Sequence, residues 1–252
     1  MYCLRHALSE NPEDVDALWD HSFLLKEDGK TDAAIRGFNK LLEITPHHVK
    51  VIDELAKLYR SKDDLAKAVE LYEGAMDYHF ENDKLDEPDE NAFRYTEINM
   101  LTELYIMMNE YEKALMCIKY GILYLQRRID EIDWTSGLDP EDLDEDFDRT
   151  PDDPSTDCFE DFPVELRARM AVCRIYLDHF DVAKVSDMSD SSRGYSSQLT
   201  YPLFQKHVGY LEKQPVTEYS DLYQEVAAAY MEKGKYDLAL ILLQRIIDEE
   251  EV

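Results

Sequence analysis

Along most of the chain, small and large apolar residues recur at helical spacing and are separated by short polar turns. That pattern predicts paired helices, not strands. In the first pair the break falls at Gly29, and Ala34 and Phe38 follow at the small and large apolar positions of the second helix. The next pair carries Leu55, Ala56 and Tyr59 in its first helix and Ala68, Tyr72 and Ala75 in its second. A third places Leu101, Leu104 and Tyr105 before Asn109, Tyr111 and Ala114. Asn suits the turn because, like Gly, it tolerates the left-handed conformation that ends a helix. The last pair, Val226, Ala227, Tyr230, Gly234, Tyr236 and Ala239, is the cleanest. Before it stands a degenerate unit in which Ala171, Cys173, Tyr176, Phe180 and Ala183 keep the alternation across a shortened turn. Only 8 glycines and 9 prolines interrupt the chain, and an all-α protein is predicted.

Pro12 and Pro46 stand 34 residues apart, and with the residues between them this resembles the tetratricopeptide repeat. The predicted organisation is a second helix of a truncated repeat at 1–11, carrying Leu4 and Ala7, then two units at 12–80 and a third at 95–129. The degenerate unit occupies 162–186 and the final one 219–252. One such unit cannot bury its own apolar face, so the units must stack. Small residues then let antiparallel backbones approach while aromatic side chains fill the gaps. The family resemblance implies a right-handed superhelix, an α-solenoid whose concave groove is lined mainly by first helices. The signature apolar positions are structural in this scheme, so binding residues must be sought elsewhere on the surface.

Three insertions break the period. Residues 81–94 read as an acidic loop, and 187–218 as a polar stretch in which Phe204, Val208 and Leu211 have the spacing of a short helix. Residues 130–161 hold 15 acids and one basic residue, Arg149, a local balance of −14 within a net charge of −29. So dense a charge run usually stays solvated and disordered. Its Trp134 and Phe147, with Asp144, Glu145 and Asp146 between them, also suit a docking strip for a basic partner.

The overall acidity argues against direct nucleic-acid binding, which draws its affinity from Lys and Arg displacing counterions. Basic protein segments are the partners it attracts. Cys3, Cys117, Cys158 and Cys173 lack the close spacing of a zinc site and read as reduced thiols of an intracellular protein. No apolar run approaches the roughly 20 residues that cross a bilayer, and no membrane association is expected. Phosphate-binding, nucleophile-elbow and metalloprotease motifs are missing, and His47 and His48 point in different directions at the junction of two units. No catalytic, metal or cofactor site is predicted, and the protein is read as not an enzyme.

Chaperone-binding members of the repeat family hold acidic peptides with Asn and Lys on the concave side of the first helices. The corresponding Asn positions here are Asp20, Glu54 and Met100, which disfavours an acidic ligand and favours a basic or apolar one. Concave-face candidates are Trp19, Asp20, Phe23, Lys57, Arg60, Met100, Glu103 and Met107, with Gln224 and Glu225 in the last unit.

The interruptions are more specific than the repeats. The run NMLTELYIMMNEYEKALMCIKYGI, then LQRR, Trp134 and the acidic DLDEDFD, leads to FPVELRARMAVCRIYL and finally YSDLYQEVAAAYMEKGKYDLAL. These segments resemble the tetratricopeptide subunit of the RNA polymerase III transcription factor TFIIIC, over about residues 12–247. The acidic stretch joined to Phe162, Pro163, Val164, Glu165, Leu166 and Arg167 is the discriminating part. The resemblance implies a nuclear scaffold that binds other TFIIIC subunits. It also implies recruitment of TFIIIB, through its TFIIB-related and SANT-domain components, at transfer RNA genes. Repeats are then expected to continue beyond Val252. The alternative is a tetratricopeptide scaffold of another intracellular complex, such as a ubiquitin ligase or an RNA-processing assembly.

Overall fold

In the computed structural model the described residues are 2–82, 91–125, 163–177, 208–209 and 211–250. They form ten helices: α1 (Tyr2–Glu10), α2 (Val15–Glu27), α3 (Thr31–Ile44), α4 (Val49–Ser61), α5 (Leu65–Asn82), α6 (Tyr95–Met107), α7 (Tyr111–Leu125), α8 (Val164–Tyr176), α9 (Val216–Glu232) and α10 (Tyr236–Glu250). No strand occurs among the described residues. The chain divides within α6 into two compact units, Met1–Leu104 and Tyr105–Val252.

Four hairpins turn in the same way. Gly29, Asp63, Asn109 and Gly234 all take positive φ, from 60° to 71°. At each turn the next residue's N–H reaches back five residues to a helix carbonyl: Lys30 to Leu25 and Asp64 to Tyr59, then Glu110 to Tyr105 and Lys235 to Tyr230, at 2.8–3.0 Å. This Schellman geometry satisfies carbonyls that a helix end would otherwise leave open. Asp63 holds the position without the freedom of Gly. A left-handed residue of this kind costs about 1–2 kcal/mol.

In the first unit Leu18 and Leu25 of α2 pack with Ala34, Ile35, Phe38 and Leu41 of α3 and with Val51, Leu55 and Leu58 of α4. Helices α2 and α3 approach tightly at Gly37, where a Cβ would lie 2.1 Å from the Ser22 hydroxyl oxygen. Ser22 is itself buried and donates to the Leu18 carbonyl at 2.7 Å. Asp14 caps α2 by accepting the Ala17 N–H at 2.9 Å, and Glu97 accepts the Arg94 N–H at 2.7 Å at the start of α6. The turn between α3 and α4 is pinned from several sides. His47 has φ 59° and stacks on Tyr78 at 4.3 Å, while the buried His79 ring lies 3.1 Å from the His47 carbonyl. Both His47 and His48 are half-buried at the turn between α3 and α4, the expected junction of two repeats.

The second unit buries Ala168, Ala171, Val172 and Ile175 of α8 with Leu222, Tyr223, Val226, Ala227 and Tyr230 of α9 and Ala239, Leu242 and Ile246 of α10. Val208 and Leu211 of the expected short helix belong to this core, whereas Phe204 lies outside the described residues. The Tyr223 hydroxyl donates to the Leu211 carbonyl at 2.6 Å, which ties that segment to α9. Cys117 and Cys173 are buried thiols, and burial pushes the Cys173 thiol well above its ordinary range. Tyr236, expected at a packed signature position, is instead 69% exposed. It begins a stripe with Leu240 and Ile247 on a side of α10 that no described element covers.

Candidate protein-interaction face

The candidate residues were sought on first helices, and the structure groups some and separates others. Trp19, Asp20 and Phe23 sit on successive turns of α2 and line one hollow, together with Leu4 of α1 and Leu24. Phe23 is exposed, while Trp19 is half-buried with its ring edge-on to Phe38 at 5.5 Å. The hollow therefore has an exposed lip and a wall rooted in the core.

Next along the first unit is a set of ion pairs. Lys26 lies 2.5 Å from one Glu54 oxygen and Lys57 2.8 Å from the other. Hydrogen bonds from these two ammonium groups hold the Glu54 carboxyl below its ordinary range, against the raising effect of its burial. Arg60 pairs with Glu103 at 2.6 Å. Arg60 and Glu103 thus link α4 to α6, Lys57 is engaged within α4, and the acid at Glu54 is matched by two cations. Partly exposed pairs of this sort contribute little stability, about 0–1 kcal/mol each. Their consequence is for recognition, because an incoming charged ligand must compete with them.

The first unit also holds the half-buried Asp53 and the buried Glu97. The Tyr72 hydroxyl donates to Asp53 at 2.6 Å. Desolvation raises the Asp53 carboxyl above its ordinary value, opposed by this hydrogen bond. Glu97 is raised by desolvation and, less strongly, by the Asp53 charge. The Tyr72–Asp53 bond links α5 to α4, while Glu97 acts at the start of its own helix, α6.

Met100 is half-buried and Met107 is 43% exposed, the latter falling in the second unit. In α9, Gln224 is exposed, but Glu225 is half-buried and lies 3.9 Å from Arg169 of α8. Trp134, Asp144, Glu145, Asp146 and Phe147 of the acidic insertion lie outside the described residues. Sequence reasoning overlooked Leu4 and Leu24 as wall residues and Lys26 as the bridge between α2 and α4. Leu24 and Lys26 follow Asp20 at i+4 and i+6, so a helical wheel of α2 could have found the first; the second needed α4 in place. Among the described residues no group of three or more His, Cys, Asp or Glu side chains could hold a metal ion.

Helical hairpins with this turn and this small-against-large packing define a protein of the tetratricopeptide class. The solved tetratricopeptide protein YrrB superposes with a TM-score of 0.52 at 16% identity, covering 97% of this chain and 91% of that one. The solved protein MamA does so with a TM-score of 0.54 at 13% identity, covering 95% and 93%. In sequence the chain is similar over nearly its whole length to subunits of one transcription factor. It is 22% identical to human "General transcription factor 3C polypeptide 3" over 256 residues, 99% of this chain and 24% of the relative. The corresponding figures for the Schizosaccharomyces pombe "Transcription factor tau subunit sfc4" are 23% over 260 residues, again 99% and 24%. The Saccharomyces cerevisiae "Transcription factor tau 131 kDa subunit" is 21% identical over 308 residues, 100% of this chain and 28% of the relative. The resemblance to the tetratricopeptide subunit of TFIIIC, read from the acidic stretch and its flanks, is thus supported in three organisms. No protein-family profile matches the chain. The chain spans about a quarter of the length of these relatives, with 24% of the human one covered.

Proposed function

We propose that this chain is a protein-interaction segment of a TFIIIC-type complex, a nuclear scaffold without catalytic activity that offers its first-helix face to other subunits and to TFIIIB. The observation that carries this reading is the end-to-end similarity to three TFIIIC subunits in a chain whose fold is tetratricopeptide. Recruitment of TFIIIB, through its TFIIB-related and SANT-domain components, suits a net charge of −29 and a face where Asp20 and Phe23 stand open beside the half-buried Trp19. Basic segments with apolar residues are the ligands that such a face selects.

The test is affinity capture from nuclear extract with the fragment as bait, followed by mass spectrometry at two salt concentrations. Recovery of TFIIIC and TFIIIB components is expected, with TFIIIB lost at the higher salt, because exposed charge attraction is screened over about 8 Å at physiological ionic strength. Capture of a ubiquitin ligase or an RNA-processing complex instead would keep the repeat scaffold and discard the TFIIIC assignment. Salt-insensitive capture of TFIIIB would overturn the electrostatic mechanism.

A further inference from the structure

The first unit brings an apolar hollow and an uncommitted acid together in one place. Leu4, Trp19, Phe23 and Leu24 line a hollow of about 330 Å³, with Asp20 on its lip. Ligand pockets run from about 300 to 1,000 Å³, so this one suits a single bulky side chain with its neighbours rather than a whole helix. Phe23 and Leu24 are 38% and 40% exposed, adjacent large apolar groups that gain by being covered. The Trp19 wall is fixed against Phe38, so little ordering is needed on binding.

Charge decides what kind of segment fits. Lys26 and Lys57 are committed to Glu54, and Arg60 to Glu103. Asp20 is exposed and makes no hydrogen bond or ion pair among the described residues. The Lys26 ammonium lies 4.9 Å from the Phe23 ring centroid but is paired with Glu54, so a ligand cation next to the apolar anchor would meet Asp20, whereas an acidic neighbour would meet like charge.

Resting on the scaffold reading above, we propose that this hollow is a docking site for a short segment of a partner protein that inserts one leucine or phenylalanine and pairs an adjacent lysine or arginine with Asp20. The site selects for both features together. Binding energy concentrates on the seated side chain, and the flanking charge sets specificity and encounter rate.

Fluorescence anisotropy of the whole chain with three labelled peptides, identical except for a central Lys-Phe-Lys, Lys-Ala-Lys or Glu-Phe-Glu, tests this. The Lys-Phe-Lys peptide is expected to bind about tenfold more tightly than either of the others, a difference of about 1.4 kcal/mol. Phe23→Ala should remove that advantage, and Asp20→Lys should shift preference to Glu-Phe-Glu. Both positions are exposed, and unchanged helical circular dichroism checks that the variants fold. Equal binding of Lys-Phe-Lys and Lys-Ala-Lys would reduce the effect to general acidity and overturn the proposal, as would indifference to Phe23→Ala. Self-association lost in Phe23→Ala would assign the hollow to a second copy of the chain. Protection of Phe23 in a longer natural chain without a partner would assign it to an intramolecular neighbour; either result overturns the proposal. Capture of TFIIIB by a Phe23→Ala bait at the original level would discard the hollow and leave the scaffold reading in place.

Discussion

Basic side chains are used differently in the two units. In the first, Lys26, Lys57 and Arg60 lie near the surface and bridge to Glu54 and Glu103, with Lys26 26% and Lys57 53% exposed. In the second, α8 is buried continuously from Leu166 to Ile175, and that run includes Arg167, Arg169 and Arg174. Lys119 of α7 is fully buried as well. A charge removed from water must be matched inside, so these cations are structural, whereas those of the first unit lie where a ligand can compete for them. Two units with the same hairpin turn therefore differ in what a mutation of a basic residue costs.

The largest expected effect breaks this comparison directly. Arg167→Ala should destabilise the second unit by about 2–5 kcal/mol, because it empties the space of a long side chain that is only 3% exposed. Lys26→Ala should cost the first unit no more than about 1 kcal/mol. Denaturant unfolding followed by hydrogen exchange, which resolves the two units, would measure both. Similar costs would mean that burial does not separate the two sets of cations.

Smaller effects come from the glycines and their equivalents. Gly37→Ala drives a methyl into Ser22 and should cost about 1–3 kcal/mol. Gly29→Ala meets nothing within 4 Å, so its cost is the left-handed backbone alone. That cost is about 1 kcal/mol, and Asp63→Gly should recover a similar amount at the equivalent turn. Thermal unfolding of the three variants orders them, and a loss for Gly29→Ala as large as that for Gly37→Ala would contradict the distinction between space and backbone.

The smallest effect is in pH dependence. Burial raises Asp53 and Glu97 above their ordinary values, so in the acid range the folded protein binds more protons than the unfolded chain does. The stability they contribute is full below the unfolded value and is lost as pH rises through the raised folded values. Glu97→Gln keeps an acceptor for the Arg94 N–H and removes the charge. It should leave the first unit at least as stable at neutral pH and flatten the decline of stability from acid to neutral, read by urea unfolding across pH. A steeper decline in the variant would refute this account.

The local features were legible in the residues. Gly29, Asn109 and Gly234 mark turns because a left-handed residue is a property of a few atoms of backbone, and the chemistry of Gly and Asn announces it. Ala34 and Phe38 declare a small and a large packing position for the same reason, since the helical period sets which residues share a face. Asp63 and His47 take the same backbone conformation without announcing it, because their surroundings enforce what their side chains do not favour. The fit of Gly37 onto Ser22, the sharing of Glu54 between Lys26 and Lys57, and the burial of three arginines in α8 were decided only by tertiary structure. Each depends on which helix lies opposite. Distance between side chains far apart in sequence is fixed by packing, and a one-dimensional pattern of apolar and polar positions carries the period of a helix but not the identity of its neighbour.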